Sequence, residues 1–259
     1  MILRAILVLG LVTGGAGCGA DRPQNGNGHQ NTNAPVPGPS AEGWLSDFGG
    51  GVARCGAPET ELSDLPHVTV DNVTIYVGYE QVSGENQDPL VARYDDGQLV
   101  WCRHHEQQGP DGRAVGITWD GSEMAYVVYT IVGGGSGLEG QGGWLPSYAP
   151  GAISGGGPRV SYVGRVRATD GELLSGTFII AVKSDHTVNT HSPAGAVTVL
   201  TDGSIEFLGE SAHKPIDADG ASAMDCTDYP FDSRYRFTPD LSRLVCADCT
   251  NCVSQRPCE

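Results

Sequence analysis

The sequence predicts an all-β fold, and three observations lead to that prediction. Five segments alternate apolar and polar residues with a period of two, which is the pattern of a strand that buries one face. Four of them contain an Asp-Gly dipeptide, which supplies the positive φ angles of a tight hairpin turn. No segment after residue 17 has a helical period of useful length. We therefore expect antiparallel hairpins along most of the chain.

The strand segments follow one another with short polar interruptions. Each combines β-branched or aromatic residues with a turn, and the 38 glycines of the chain suit short strands and tight turns. In chain order the segments are 67–79, 89–102 with Asp96-Gly97, 114–132 with Asp120-Gly121, 159–182 with Asp170-Gly171, and 195–209 with Asp202-Gly203.

Parts of these segments repeat. DNVTIYVGY at 71–79 parallels DGSEMAYVVY at 120–129, and VARYDDGQLVW at 91–101 parallels VGRVRATDGELL at 163–174. The second unit is longer because it contains a Gly-rich stretch at 133–157. Self-similarity of this kind indicates units that bury their faces against one another.

The first two units share a wider motif, in which Trp and Phe-Gly-Gly precede two strands and a closing Trp. Its residues here are Trp44, Phe48, Gly49, Gly50, Val70, Asp71, Tyr76, Val77, Gly78, Val91, Arg93, Tyr94, Asp95, Gly97, Leu99 and Trp101. The motif resembles the SBBP-type bacterial β-propeller repeat, clearly over 44–132 and loosely over 160–210. The resemblance implies a β-propeller-like array of four-stranded antiparallel blades. An open β-solenoid or a β-sandwich is the alternative.

The first 17 residues have the organisation of a secretory signal peptide. Arg4 precedes an apolar run from Ala5 to Val12, and small residues follow as far as Gly17. The run is shorter than the roughly 20 apolar residues of a membrane-spanning helix. We therefore expect the chain to be exported.

Cys18 follows the small residues Gly15, Ala16 and Gly17. This segment resembles a bacterial lipobox, which implies that Cys18 is acylated, with palmitate among the attached chains, and becomes the new N-terminus. A plain signal peptide whose Cys18 enters a disulfide is the alternative. Gly19 after the cysteine resembles the sorting signal for the outer membrane. The expected location is therefore the cell envelope, on the outer membrane or the cell surface.

Composition divides the rest of the chain into three parts. Residues 18–43 lack Ile, Leu, Phe, Tyr and Trp, so we expect a disordered tether. Residues 44–225 form the predicted β-repeat domain, and 226–259 a cysteine-rich segment packed on it. The net charge of −16 argues against nucleic acid as a partner and against anionic membrane faces, since both need clustered Lys and Arg. The lipid would be the only membrane attachment.

The remaining seven cysteines are disulfide candidates in an oxidising compartment. If Cys18 is acylated, one of them has no partner within the chain. The C-terminal spacing also resembles a zinc or iron–sulfur loop, but export by a general signal favours disulfides, and the pairing stays open. The candidates are Cys55, Cys102, Cys226, Cys246, Cys249, Cys252 and Cys258.

Candidate sites are few. Trp144 and Tyr148 lie in the Gly-rich stretch, where they would either stack on a ligand or pack back on the domain. The G-x-G-x-x-G string at 135–140 is followed by residues that cannot form the helix of a dinucleotide site, so we interpret it as a loop. The candidate catalytic bases are His104, His186 and His191.

Asp217, Asp219 and Asp225 resemble part of a calcium loop, because hard carboxylate oxygens at alternate positions suit Ca²⁺. The glycine falls too early for an EF-hand, and the closing glutamate is missing. No cofactor is predicted apart from such a structural Ca²⁺.

The sequence favours a non-catalytic binding or scaffold module for protein or glycan at the cell surface. The tether, the repeats and the lack of a convergent catalytic set support this interpretation. The alternative is an exported hydrolase or lyase with its site in a propeller-like funnel and one of the three histidines as base.

Overall fold

A computed structural model describes residues 51–84, 86–107, 111–132, 137–148, 158–229 and 231–259. The predicted signal peptide, Cys18 and the tether lie outside these ranges, as do Trp44, Phe48, Gly49 and Gly50 of the repeat motif. Within the described ranges, no helix is long and apolar enough to cross a membrane. The single helical element of these ranges is a 3-10 turn at Glu59–Glu61.

The first sheet is a four-stranded antiparallel meander, in which neighbours in sequence are neighbours in space. A two-residue turn joins its last two strands, and both turn residues have positive φ, 50° at Asp96 and 78° at Gly97. The strands of sheet 1 are β1 (His67–Val70), β2 (Val73–Ser83), β3 (Asn86–Asp95) and β4 (Gln98–His104).

The second sheet repeats this arrangement. It is again an antiparallel meander of four consecutive strands, and the Asp-Gly turns predicted at 120 and 170 join its first and last pairs. The first pair of repeats, 71–79 and 120–129, falls on the second strand of each sheet. The second pair, 91–101 and 163–174, covers the third strand and the beginning of the fourth. The strands of sheet 2 are β5 (Gly112–Thr118), β6 (Met124–Val132), β7 (Arg159–Arg167) and β8 (Leu173–Ile179).

The third sheet departs from consecutive order. Sheet 3 has the order β11-β13-β16-β17, with β12 paired to β13, and two small sheets accompany it, β10-β9-β14 and β15-β18. The strands are β9 (Ala181–Val182), β10 (Val188–Asn189), β11 (His191–Pro193), β12 (Thr198–Val199), β13 (Ile205–Ser211), β14 (Lys214–Pro215), β15 (Asp225–Cys226), β16 (Phe231–Phe237), β17 (Leu244–Cys249) and β18 (Cys252–Val253).

These sheets confirm the all-β prediction and its antiparallel, blade-like units. One detail of the sequence interpretation is corrected. The segment 226–259 is not an addition packed on the domain, because β16 and β17 are the inner and outer strands of sheet 3.

One core joins the three sheets. Val77 and Val91 of sheet 1, Tyr162 of sheet 2, and Phe207 and Tyr235 of sheet 3 are all fully buried in it. Burying a side chain of this size contributes roughly 1.5–3 kcal/mol. A smaller apolar cluster covers the other face of sheet 1 and includes Leu62, Leu65, Leu90, Ala92 and Tyr94.

Polar side chains of sheet 1 hold the β7–β8 turn of sheet 2. Arg93 Nη1 and Trp101 Nε1 both donate to the Ala168 carbonyl, at 2.9 and 3.0 Å. Arg103 Nε donates to the Asp170 carbonyl at 3.1 Å. These donors satisfy carbonyls that the turn leaves free, so they fix the two sheets relative to each other.

Three disulfides join cysteines of the described chain: Cys55–Cys102, Cys226–Cys252 and Cys246–Cys258. The first closes a loop across sheet 1, and the other two tie the C-terminal strands. Cys249 is the one described cysteine outside a disulfide. The expectation that these cysteines form disulfides is therefore confirmed for six of the seven candidates.

Candidate functional site

The turns of sheets 1 and 2 enclose a polar cleft, called here the turn cleft, with a volume of about 360 Å³. The β1–β2 turn contributes Asp71 and Asn72, and the β5–β6 turn contributes Ser122 and Glu123. The β7–β8 turn contributes Thr169. All five side chains are exposed at the rim, so several hydrogen-bonding groups from three separate turns converge on one space.

Arg93 and Trp119 form the floor of this cleft. Arg93 donates from Nε and Nη2 to the two carboxylate oxygens of Asp95, at 2.7 and 2.9 Å, and its guanidinium lies 6.0 Å from the centre of the Trp119 ring. Trp119 Nε1 donates to the Ser122 carbonyl at 2.6 Å. Both side chains are held by contacts within the protein, so the floor is rigid while the rim stays accessible.

The Arg93 side chain is only 16% exposed, and its carboxylate partner neutralises its charge. The floor therefore presents no free cation for an anionic ligand. The rim offers the carboxylates of Asp71 and Glu123 together with the Asn72 amide and two hydroxyls. Such a set suits neutral ligands rich in hydroxyl groups, which donate to carboxylates and accept from amides.

The three candidate catalytic histidines lie in different parts of the fold and share no hydrogen-bond partner. His104, on β4, pairs with the Glu80 carboxylate at 2.9 Å. His186 is exposed in the turn between β9 and β10, with φ at 64°. His191 is fully buried on β11, between the hydroxyls of Ser161 at 3.1 Å and Ser233 at 2.9 Å. They do not form one catalytic set.

His191 and His105 have structural roles, since their buried rings form hydrogen bonds between parts of the fold. Burial lowers the pKa of His191 to about 3, so its ring is neutral and bridges β7 and β16. His105 Nε2 donates to the Gly171 carbonyl at 2.8 Å, and its Nδ1 lies 2.6 Å from the Tyr129 hydroxyl. Burial is the main cause that lowers the pKa of His105 to about 4.

The two aromatic residues proposed for a ligand loop pack on the domain. The Tyr148 side chain is 7% exposed, and its ring lies 5.0 Å from that of Phe178. The half-buried Trp144 ring lies 5.9 Å from Phe237, and its Nε1 donates to the Ala218 carbonyl at 3.3 Å. Of the two alternatives for these residues, the structure shows the second, because both rings pack back on the domain.

The aspartates of the calcium hypothesis do not converge either. Asp217 is buried and accepts from Ser254 Oγ at 2.9 Å and from the Gln255 amide at 3.1 Å. Asp219 accepts from Ser222 in a local turn, and hydrogen bonds to Ser222 and Ala221 help to lower its pKa to about 2, against the opposing effect of burial. Asp225 is exposed beside Lys214. The protein's own donors occupy the carboxylate oxygens of Asp217 and Asp219.

Of the G-x-G-x-x-G string, Gly135 and Ser136 lie outside the described residues. The described part, 137–140, is a turn, as expected for a loop. Two clusters of metal-binding atoms occur within the described ranges. One consists of Cys226, Cys249 and Cys252, and the other of Cys55, Glu80 and His104.

The turn cleft was not predicted from the sequence. Its signals were present, because Arg93 belongs to the repeat motif and Trp119 directly precedes the Asp120-Gly121 turn. What was missing was the way sheet 2 packs on sheet 1, which brings three turns from distant parts of the chain to one place.

Comparison with known proteins gives no family. No family model matches the sequence, and no curated protein matches it. Among solved structures, the quinohemoprotein alcohol dehydrogenase from Comamonas testosteroni aligns with 11% identity and a TM-score of 0.27. The alignment covers 74% of this chain and 46% of the dehydrogenase chain, so this chain spans less than half of that protein. A likeness of this size supports no conclusion about function.

Proposed function

We propose that this protein is an exported envelope lipoprotein, anchored through Cys18, whose β-domain is a non-catalytic binding module. The turn cleft is its ligand site, and a neutral, hydroxyl-rich glycan is the ligand that its chemistry fits best. The observation that carries the proposal is the convergence of five exposed polar side chains from three turns over a rigid floor.

The cleft favours a glycan over a protein partner. Specific protein interfaces bury roughly 800 Å² on each side and centre on aromatic or apolar anchors. The cleft has a volume of about 360 Å³, its rim is polar, and Trp119 is buried beneath it. A terminal saccharide fits these dimensions, because it binds through hydrogen bonds spread over a small area.

Binding of soluble oligosaccharides to the mature protein tests this proposal. The probes are neutral fragments of envelope polysaccharides, measured by calorimetry, and the test variant is Asn72→Ala with Glu123→Ala. We expect roughly tenfold or greater loss of affinity, since each lost hydrogen bond costs about 1 kcal/mol. The matched control is Asn251→Ala with Glu210→Ala, which alters the same residue types away from the cleft.

Affinity that the cleft variant leaves unchanged would place the ligand elsewhere. A second outcome is that no glycan binds, while a protein ligand binds and depends on Asn72 and Glu123. In that case the ligand of the turn cleft is a protein and not a glycan. The exported-hydrolase alternative takes His104, His186 or His191 as its base, and of these His104 pairs with a carboxylate, that of Glu80. Cys55 Sγ, which lies 3.8 Å from His104 Nε2, is held in a disulfide and offers that pair no free thiol.

A further inference from the structure

Four side chains that bind transition metals meet on one face of sheet 1. We call them the Cys55 cluster: Cys55, Glu80, Cys102 and His104. The metal-binding atoms of Cys55, Glu80 and His104 all lie within 4.8 Å of one another, and Cys102 is bonded to Cys55. The cluster lies outside the turn cleft, so the proposed glycan site does not use it.

The strand register explains this convergence. Cys102 and His104 are two residues apart on β4, so their side chains project from the same face. His104 pairs with Leu90 of β3, and Leu90 pairs with Gly78 of β2. Glu80, two residues beyond Gly78, therefore shares that face as well. The loop before β1 brings Cys55 over it.

The ligand atoms lie near the spacing of a tetrahedral site. In a zinc site with sulfur ligands at about 2.3 Å and nitrogen or oxygen ligands at about 2.0 Å, neighbouring ligand atoms lie roughly 3.3–3.8 Å apart. The distance from His104 Nε2 to Cys55 Sγ, 3.8 Å, falls in this range, and the distance from His104 Nε2 to Glu80 Oε2, 2.9 Å, is shorter. Reduction of the disulfide frees the two sulfur atoms to separate from their bonded distance.

The surroundings suit a metal ion. The side chains of His104 and Glu80 are 17% and 22% exposed, so an ion could enter from solvent and would still be largely shielded from it. The smaller apolar cluster packs against both cysteines and restricts their movement. A second group also holds the carboxylate, because the Cys55 amide donates to Glu80 Oε2 at 3.3 Å.

We propose that the Cys55 cluster binds one Zn²⁺ ion when the Cys55–Cys102 disulfide is reduced, and releases it when the disulfide forms again. A dithiol reductant transfers two electrons and two protons to the disulfide and becomes a disulfide itself. The two protein thiols then bind Zn²⁺ as thiolates, and two protons pass to solvent. Neutral His104 Nε2 and the Glu80 carboxylate complete the four ligands.

Oxidation reverses the step. Forming the bond between Cys55 and Cys102 withdraws both thiolates, and one imidazole with one carboxylate holds Zn²⁺ far less tightly than four ligands do. The cluster of Cys226, Cys249 and Cys252 offers sulfur alone and no nitrogen or oxygen ligand. This sulfur-only cluster provides a comparison within the same protein. Replacing His104 and Glu80 alters the Cys55 cluster and leaves the sulfur-only cluster unchanged.

The test uses the mature full-length protein with Co²⁺ as a spectroscopic probe for Zn²⁺. The protein is reduced without oxygen by a phosphine and titrated with Co²⁺, and the oxidised protein is titrated in parallel. We expect the reduced protein to bind one more Co²⁺ than the variant His104→Ala with Glu80→Gln. The extra ion should show a tetrahedral spectrum with mixed sulfur and nitrogen ligands. The matched control is His186→Ala with Glu210→Gln.

Equal binding and identical spectra in the wild type and the cluster variant would overturn the proposal, as would Co²⁺ binding to this cluster in the oxidised protein. A second measurement needs no variant. Zn²⁺ should slow re-formation of the Cys55–Cys102 disulfide roughly tenfold or more, read by peptide mapping, and leave Cys246–Cys258 unaffected. If Zn²⁺ slows neither bond, or both equally, the cluster is not a zinc site.

Discussion

Gly171 lies where sheet 1 and sheet 2 meet, and the space around its Cα is too small for a side chain. Its φ is +75°, and a Cβ there would lie 2.6 Å from Trp101 Cε3 and 2.8 Å from Arg103 Cγ. We expect Gly171→Ala to lower the free energy of unfolding by about 2–4 kcal/mol, because left-handed strain and overpacking add. Denaturant unfolding measures the change.

Gly203 offers the matched control for this prediction. It occupies the same position of an Asp-Gly turn, with φ at +80°, but the nearest atom to its Cβ would be Pro239 Cγ at 3.7 Å. Gly203→Ala should therefore cost only the backbone strain, about 1 kcal/mol. Equal losses in the two variants would show that the contact between the sheets at Gly171 contributes nothing.

The buried histidines predict how stability depends on pH. The pKa is about 3 for His191 and about 4 for His105, against 6.5 for an unperturbed histidine. The unfolded chain therefore binds more protons, and stability that is complete above pH 6.5 is lost as pH falls toward these lower values. Each histidine should cost about 2 kcal/mol between pH 7 and pH 5.

Urea unfolding at pH 7, 6 and 5 measures this loss. His191→Asn should be less stable at pH 7 but lose about half as much between pH 7 and pH 5, because one of the two titrating groups is gone. His186→Gln changes an exposed ring and should keep the wild-type slope. An NMR titration of His191 with a pKa near 6.5 would contradict the explanation.

At the scale of elements, Asp217 fixes the C-terminal segment. Its carboxylate accepts from Ser254 Oγ and the Gln255 amide, and Ala247 of β17 donates to the Arg256 carbonyl at 2.8 Å. Asp217→Ala should cost about 1–3 kcal/mol, because it leaves buried donors without partners. Faster hydrogen exchange at residues 252–256 would report the loosened segment.

Asp225 provides the comparison for Asp217. Its side chain is 92% exposed, and its ion pair with Lys214 is long, at 4.0 Å. Asp225→Ala should leave both stability and exchange at 252–256 unchanged, since exposed ion pairs contribute little. If exchange rises equally in both variants, the segment is held by its disulfides and not by the Asp217 carboxylate.

The elements that the sequence predicted are those that local forces determine. All four Asp-Gly dipeptides lie in turns that join neighbouring antiparallel strands. The Asp96-Gly97 turn has two residues, both with positive φ, whereas each of the other three connections has five residues and a positive φ at its glycine. Sheet 3 could not be predicted in this way. Between β13 and β16 the chain leaves the sheet to form β14 and β15, and only packing over long sequence distances sets that order.

For the whole molecule, the sites were harder to predict than the fold. Trp144, Tyr148 and the histidines were candidate site residues because of their residue types. Whether such a residue can meet a ligand depends on its burial, which the sequence does not show directly. His191 and Tyr148 are buried in the core. The turn cleft and the Cys55 cluster depend on how sheets and strands are placed side by side. Spacing along the chain does not encode that placement.

The number of cysteines connects the described domain with the proposed anchor. The chain has eight cysteines, of which six form the three disulfides and Cys249 is free among the described residues. The eighth is Cys18, which needs no disulfide partner if it is acylated. Burial, followed by the charge of Asp232, raises the pKa of Cys249 to about 12. Its thiol should therefore react slowly with an alkylating agent in the folded protein and quickly after denaturation.

We expect the unreduced mature protein to begin at Cys18, to carry a diacylglyceryl group there, and to take up one alkyl group on denaturation, at Cys249. Intact mass and peptide mapping measure all three. Cys18→Ser, which removes the acylated residue, should release the protein from the membrane fraction and still take up one alkyl group. A disulfide between Cys18 and Cys249 would contradict the anchor, because it would use the same two cysteines and leave no thiol.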